Sequence, residues 1–218
     1  MPPEIKFCGM ARGEDVEAAV ALGAHYVGLV FAGGPRTVTV DRARELVRRV
    51  PRRVGRVGVF GRELEPEAVA EVARAATLDV VQLHGDPAVD DVERARVSFG
   101  GRVWAVLRVR GDELPAAAAD LFRVADAVVL DAYSPTGLGG TGLALPWVAV
   151  ADAVSAVRGP GKLVLAGGLR PETVGSAARA LRPDVVDVSS GVESAPGVKD
   201  HSKLRAFRDA VSAEAAET

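Results

Sequence analysis

Two side chains with acid–base chemistry, Cys8 and Asp131, each end a short apolar run that predicts a buried strand. Cys8 closes residues 5–8, Asp131 directly follows residues 127–130, and each precedes a glycine-bearing loop. The carboxyl ends of parallel strands converge on one face of a β/α protein, so these two side chains are predicted to meet across a pocket. A thiol and a carboxyl placed in this way would suit proton transfer, with one base and one acid.

Both residues also have a purely structural interpretation. A lone cysteine in a strand is commonly a small buried hydrophobe, and an aspartate after a strand commonly closes a turn or caps a helix. The joint placement of Cys8 and Asp131 at strand ends is what favours chemistry over packing. One cysteine in the whole chain excludes an internal disulfide and is typical of a reducing compartment.

The elements that must position these residues recur along all 218 residues of the chain. Apolar, β-branched runs predict eight strands, at residues 5–8, 26–31, 54–60, 80–83, 103–109, 127–130, 163–166 and 185–188. Helical spacing predicts helices between them, at residues 15–22, 41–50, 66–76, 89–96, 114–124, 147–157, 171–181 and 199–211. This strict alternation predicts an α/β fold, a single-domain (β/α)8 TIM barrel over residues 1–218.

Start signals support several of these helices. Thr39 or Asp41 can cap the second helix, and Pro66 and Pro171 suit first-turn positions. The alternative architecture is an open doubly wound sheet with fewer strands. The full count of strands, with no linker between them, favours the closed barrel.

Polar residues within otherwise apolar strands require an explanation, because strands covered by helices should be apolar on both faces. Strand parity places six such side chains around one axis: Lys6, Cys8, Gln82, His84, Asp131 and Asp187. Burying them costs several kcal/mol per unpaired charge, so they are expected to pair or to bind a ligand. The first and eighth strands are neighbours in a closed barrel, which predicts a Lys6–Asp187 ion pair beneath the site, within about 6 Å.

Three glycine-bearing loops, residues 134–142, 166–171 and 188–193, follow the last three strands. Glycine lets backbone N–H groups approach an anion, and barrels often bind phosphate with the loops after strands seven and eight. The alternative is that these loops are only turns. The candidate phosphate-binding residues in them are Gly140, Gly167, Gly168, Ser189, Ser190 and Gly191.

The first of these loops also matches G-x-G-x-x-G through Gly137, Gly139 and Gly142, a pattern found in dinucleotide-binding folds. Such a fold needs an acidic residue at the end of the next strand, about 20 residues on. That strand ends instead in Gly167-Gly168. A nicotinamide cofactor is therefore not expected.

Arg36 follows the second strand in a loop shaped by glycines and Pro35. Its guanidinium could grip a carboxylate or phosphate through two hydrogen bonds, or it could be a solvated loop arginine. The sequence has no metal-ligand spacing and no local motif of a Ser/His/Asp triad. No cofactor and no metal are predicted.

Composition limits the partners. A net charge of −2 gives no reason to expect a nucleic acid, and the scattered arginines are typical of solvated helix faces. No apolar run approaches the length of a membrane span, and the amino terminus lacks the features of a secretion signal. The expectation is a cytoplasmic protein that binds a small molecule, as a monomer or a homodimer.

Several stretches, in order along nearly the whole chain, resemble the phosphoribosylanthranilate isomerase family of tryptophan biosynthesis. They are Lys6-Phe7-Cys8-Gly9-Met10, Gly28-Leu29-Val30-Phe31 with Pro35-Arg36, Val81-Gln82-Leu83-His84-Gly85, Leu130-Asp131, Gly139-Gly140-Thr141-Gly142, Leu165-Ala166-Gly167-Gly168-Leu169, and Asp187-Val188-Ser189-Ser190-Gly191-Val192-Glu193 with Gly197-Val198-Lys199-Asp200. The resemblance implies a small phosphorylated substrate and an Amadori rearrangement of N-(5-phosphoribosyl)anthranilate by acid–base catalysis.

The resemblance also implies roles for individual residues. Asp131 would be the general acid that opens the furanose ring, and Cys8 the general base that takes the proton from C2. Arg36 would hold the anthranilate carboxylate, while the loops at Gly167-Gly168 and Ser189–Gly191 would hold the phosphate. Gln82, His84 and Asp187 are further candidates for contact with the substrate.

A thiol acts as a base only when it is ionised, so the pKa of Cys8 is expected to lie below the ordinary value of about 8.5, through Lys6 or a helix dipole. Two positions depart from the family pattern. Gly34 replaces the usual serine or threonine before Pro35-Arg36, and Phe7 stands where a smaller aliphatic residue is common. Gly34 removes a possible hydroxyl contact to the substrate and loosens the loop that carries Arg36.

Two rival functions stay open from the residues. One is a histidine-pathway or bifunctional phosphoribosyl isomerase barrel, which would be expected to carry aspartates at the ends of strands one and six. Cys8 at the first of these places argues against it. The other is a non-catalytic phosphosugar-binding module, which would not need the acid–base pair.

Overall fold

Eight parallel strands close into a barrel in the order of the chain, in a computed structural model that describes residues 2–132 and 147–216. The strands are β1 Glu4–Phe7, β2 Tyr26–Val30, β3 Gly55–Phe60, β4 Val80–Leu83, β5 Arg102–Val109, β6 Ala127–Ala132, β7 Lys162–Leu165 and β8 Val185–Val188. Each pairs with its neighbours in sequence, and β1 pairs with β8 to close the ring. The predicted (β/α)8 barrel is confirmed, and the open sheet is wrong.

A helix follows every strand. The helices are α1 Gly13–Ala21, α2 Val40–Val47, α3 Pro66–Ala75, α4 Val89–Phe99, α5 Ala118–Val124, α6 Trp147–Val157, α7 Val174–Leu181 and α8 His201–Ala216. In the two described ranges, no helix combines the length and the apolar character that crossing a membrane would need.

Alternation along the strands separates two apolar layers. The outward side chains pack against the helices, while the inward ones form a second cluster inside the barrel that includes Tyr26 and Trp104. These two rings meet edge to face with centroids 4.9 Å apart, a favoured aromatic geometry. The same inward parity continues toward the carboxyl ends of the strands, where polar side chains replace the apolar ones.

Two of the sequence signals for helix starts are confirmed, while other helices begin away from the predicted residues. The Thr39 side chain accepts a hydrogen bond from the backbone N–H of Arg42 and caps α2, and Pro66 is in the first turn of α3. Helix α7 begins at Val174 rather than 171, because Arg170 and Thr173 close a separate turn around Pro171. Helix α5 begins at Ala118 rather than 114.

A small hairpin after β8 has no counterpart among the predicted elements. A 3-10 turn at Ser190–Val192 leads into β9 Glu193–Ala195, which pairs antiparallel with β10 Val198–Lys199. The signal for it was present, since Pro196-Gly197 suits the centre of a turn and Gly197 has φ +80°. Because of this hairpin, the last helix begins at His201 and not at residue 199.

Candidate active site

A pocket of about 340 Å³ opens at the carboxyl ends of the barrel strands. It brings together every candidate site residue of the described ranges: Cys8, Arg36, Gln82, His84, Asp131, Gly167, Gly168, Asp187, Ser189, Ser190 and Gly191. Gly140 and the rest of the loop at residues 134–142 lie outside the described residues. Strands β1, β4, β6 and β8 supply the inward-facing polar groups, as strand parity predicted.

The floor of the pocket holds a buried ion pair. Lys6 Nζ lies 2.6 Å from Oδ2 of Asp187, and the two residues are direct register partners across the seam between β1 and β8. The predicted ion pair is confirmed. Burial alone would lower the pKa of Lys6, but attraction to Asp187 and Cys8 outweighs it and raises that pKa. The other carboxylate oxygen of Asp187 is buried without a hydrogen-bond partner in the described part of the chain.

Cys8 is buried beside this ion pair, with 8% of its surface exposed. The loss of hydrating water raises the pKa of its thiol, although the charges of Lys6 and Lys199 act in the opposite direction. The expectation of a lowered pKa is therefore wrong. Depth of burial, together with repulsion from Asp187, outweighs the nearby cations.

Asp131 lies near the carboxyl end of β6, lines the pocket and contacts His84. The distance from its Oδ2 to His84 Nε2 is 3.3 Å, and Nδ1 of His84 is buried with no partner among the described residues. If Nδ1 of a neutral ring carries the proton, Nε2 can accept a hydrogen bond from a protonated Asp131. If Nε2 carries it, the imidazole donates to the Asp131 carboxylate. His84 can thus form a hydrogen bond with Asp131 whether Asp131 is protonated or ionised.

Arg36 is neither solvated nor fully open to a ligand. Its Nε donates to Oε1 of Glu193 at 2.9 Å and its Nη2 to Oε2 at 2.7 Å, while the side chain is only 16% exposed. The two-bond grip on a carboxylate that the sequence suggested is formed with the protein's own Glu193. No hydrogen bond within residues 2–132 and 147–216 uses Nη1, so that edge of the guanidinium remains for a ligand.

Glu193 and Lys199 are the charged residues that the sequence reasoning missed. Lys199 Nζ lies 2.8 Å from Oε1 of Glu193, and both side chains are buried. Burial would raise the pKa of Glu193, but hydrogen bonds and attraction from Arg36 and Lys199 outweigh it and lower that pKa. Both residues belong to the hairpin β9–β10, which the sequence reasoning did not predict.

The loops after β7 and β8 meet at one side of the pocket. Gly167 and Gly168 have φ +81° and +66°, a backbone conformation that glycine adopts without strain. A Cβ on Gly167 would lie 2.6 Å from the backbone N of Ala132, and one on Gly191 would overlap the Leu169 carbonyl oxygen. In the described residues no backbone hydrogen bond uses the N–H of Gly168, Ser190 or Gly191. These N–H groups are therefore free to face an anion.

The described residues include no group of three or more His, Cys, Asp or Glu side chains placed to hold a metal ion. Fold and site together define the class of protein: a (β/α)8-barrel enzyme with its pocket at the carboxyl ends of the strands. The pocket combines a thiol, a carboxyl, an arginine and two glycine-bearing loops.

Comparison with known proteins defines the family. The model for N-(5'-phosphoribosyl)anthranilate (PRA) isomerase matches residues 5–210. The enzyme of that name from Pseudomonas aeruginosa (strain LESB58) is 43% identical over 210 residues, which is 95% of this chain and 94% of that relative. This chain belongs to the N-(5'-phosphoribosyl)anthranilate isomerase family, and it is an isomerase of that class.

Solved structures agree. Phosphoribosyl anthranilate isomerase from Thermus thermophilus superposes with a TM-score of 0.85 at 35% identity, covering 96% of this chain and 98% of that one. A phosphoribosyl anthranilate isomerase in complex with reduced 1-(o-carboxyphenylamino)-1-deoxyribulose 5-phosphate gives 0.83 at 32% identity, covering 97% and 99%.

Proposed function

We propose that this chain converts N-(5-phosphoribosyl)anthranilate to 1-(2-carboxyphenylamino)-1-deoxyribulose 5-phosphate, with Asp131 as the general acid and Cys8 as the general base. The observation that carries the proposal is that both side chains line one pocket, at the ends of β1 and β6. An aldose-to-ketose shift requires one proton donor and one acceptor.

The first step opens the sugar ring. A protonated Asp131 gives its proton to the furanose oxygen, the bond from C1 to that oxygen breaks, and the nitrogen lone pair forms the Schiff base. The contact with His84 supports this role, because an imidazole protonated at Nε2 can donate to Oδ2 of Asp131 both before and after Oδ1 gives up its proton.

The second step moves a proton from carbon. The Cys8 thiolate takes the proton from C2, the electrons pass to the Schiff-base nitrogen, and the resulting enolamine tautomerises to the ketone. The raised pKa of Cys8 makes the thiolate scarce at neutral pH, but it also makes each thiolate a stronger base. Lys6 supports the charged form from the floor of the pocket.

Binding groups surround this pair. The free edge of Arg36 is proposed to take the anthranilate carboxylate, and Gly167, Gly168 and residues 189–191 the phosphate. Gly140 is proposed as a further phosphate ligand. Gln82 Oε1 and Asp187 Oδ1 are buried acceptors without partners in the described residues, which supports their binding of the sugar hydroxyls.

The wider expectations are proposals of the same kind. We infer a small phosphorylated substrate, a monomer or homodimer, a cytoplasmic location and one catalytic domain over residues 1–218. A histidine-pathway isomerase is disfavoured because Cys8 occupies the place at which that class would carry an aspartate. A non-catalytic binding module is disfavoured because both members of the acid–base pair line the pocket.

The direct test is turnover. The purified protein is mixed with freshly generated N-(5-phosphoribosyl)anthranilate, and the loss of anthranilate fluorescence is followed. Enzyme-dependent conversion to the ketose is expected. Absence of conversion by a folded sample, as judged by circular dichroism, would overturn the proposal.

A further inference from the structure

Glu193 and Lys199 are buried beside the pocket, yet the proposed reaction assigns them no step. Their side chains are 5% and 0% exposed, at opposite strands of the hairpin β9–β10. Buried charges are costly unless they are paired, and Glu193 and Lys199 already neutralise each other. Glu193 nevertheless also binds Arg36, which lies on the other side of the seam between β1 and β8.

The contact with Glu193 fixes the plane of the Arg36 guanidinium. Two parallel hydrogen bonds, at 2.9 and 2.7 Å, hold the Nε–Nη2 edge and leave the Nη1 edge without a bond in the described residues. Such a two-point contact removes the freedom of rotation that a long side chain has in solution. Arg36 lines the pocket, so the free edge is held ready for one further carboxylate.

Charge explains why Lys199 is part of the arrangement. Arg36 and Glu193 alone would form a neutral pair with little attraction for an anion. Lys199 Nζ, 2.8 Å from Glu193 Oε1, adds a second cation and leaves the three side chains with a net charge of +1. One carboxylate from the substrate would neutralise the cluster.

Lys199 is itself anchored from two sides. Its Nζ also donates to the Ser189 carbonyl oxygen at 3.1 Å, in the loop after β8. Its backbone N–H donates to Oδ2 of the buried Asp15 in α1 at 3.2 Å. The hairpin therefore connects the Arg36 cluster to the loop at Ser189.

We propose that Glu193 and Lys199 are positioning residues for recognition of the substrate carboxylate, Glu193 by orienting Arg36 and Lys199 by keeping the cluster positively charged. Glu193 contacts both Arg36 and Lys199, and neither Glu193 nor Lys199 takes a step in the proposed reaction. The inference rests on the proposed function, specifically on the carboxylate-binding role of Arg36.

The test compares Michaelis constants. Glu193→Gln is expected to raise the KM for the phosphoribosylanthranilate about tenfold while kcat changes less than about threefold, because the loss falls on binding. Lys199→Met should raise the KM to a similar extent. Lys199→Arg keeps the charge and should recover most of the KM. In an Arg36→Ala background, Glu193→Gln should add less than about twofold, since it acts through the missing guanidinium.

A matched control separates positioning from a general effect on the fold. Arg56 and Asp79 form the same two-bond pair away from the pocket, with distances of 2.7 and 2.6 Å. Asp79→Asn should leave KM unchanged, and an equal rise there would overturn the proposal. If Glu193→Gln does not fold, Glu193→Asp provides the same comparison, because its shorter side chain cannot keep both bonds.

The outcomes also distinguish a failure of the positioning proposal from a failure of the proposed carboxylate-binding role of Arg36. If Arg36→Ala leaves KM unchanged, the proposed carboxylate site is wrong. If Arg36→Ala raises KM and both folded variants, at Glu193 and at Lys199, do not, Arg36 binds substrate without its buried partners and only the positioning proposal is overturned.

Discussion

The ammonium of Lys6 and the carboxylate of Asp187 meet at 2.6 Å on the seam where β1 and β8 close the barrel. The same ammonium favours the charged form of Cys8, which lies two residues further along the chain, just after β1. One buried cation therefore serves both closure of the fold and the electrostatics of the proposed base. Removing it is expected to change both stability and chemistry.

The losses of unfolding free energy caused by substituting Lys6 and Asp187 should not be additive. Lys6→Met leaves Asp187 buried without its cation, and Asp187→Asn leaves Lys6 without its anion, so each change is expected to cost about 3–5 kcal/mol of unfolding free energy. The double variant should cost clearly less than the sum, because no uncompensated charge remains. Urea denaturation of the four proteins measures the cycle; additive losses would contradict it.

The ionisation of Cys8 should be visible directly, because it is the only cysteine. Its raised pKa means that the thiolate fraction keeps rising with pH beyond the ordinary thiol pKa of about 8.5. Lys6 lowers this pKa, so Lys6→Met should move the rise to still higher pH. Thiolate absorbance is measured against pH, with Cys8→Ser as the blank. A thiolate signal already complete at neutral pH would contradict the structure.

Strand parity was sufficient to place the polar interior. Side chains alternate along a strand whatever their chemistry, so Lys6, Gln82 and Asp187 could be assigned to the inward face without knowing the helices. The pKa of Cys8 could not be predicted in this way, because it depends on how much water reaches the sulfur. That quantity is a property of the packed barrel and not of neighbouring residues in sequence.

The partner of Arg36 could not be predicted from the sequence, for a related reason. Glu193 is far away in sequence, and which acid an arginine finds depends on how the hairpin β9–β10 folds back over the barrel seam. The turn residues Pro196-Gly197 are compatible with a hairpin, but they carry no information about where it docks. The loop at residues 134–142, with Gly140, stays a prediction.

The acid and the base should be separable from the binding groups by kinetics. Cys8→Ala and Asp131→Asn each remove a proton-transfer group, so kcat is expected to fall about 10²- to 10⁴-fold while the binding of a product analogue changes little. Arg36→Ala should act mainly on KM. Steady-state assays give kcat and KM, and equilibrium titration gives the affinity for the product analogue. A near-normal kcat for either of the first two variants would remove its assigned role.

Gly28 offers a way to move the Cys8 sulfur without changing Cys8. This glycine lies on β2 beside Cys8, and a Cβ built on it would be 2.7 Å from Sγ and 3.1 Å from the Cα of Cys8. The thiol must therefore shift in Gly28→Ala, and overpacking of this kind costs about 1–3 kcal/mol of stability. A misplaced base should lower kcat about tenfold or more and change KM less.

Two comparisons make the result specific. Gly13→Ala, at the start of α1, meets only the flexible side chain of Arg49 and should leave kcat unchanged. In a Cys8→Ala background the stability cost of Gly28→Ala should shrink, because the sulfur that it displaces is absent. Thermal unfolding and turnover of these variants decide the matter: an unchanged kcat in Gly28→Ala would mean that the position of the Cys8 sulfur does not limit the reaction.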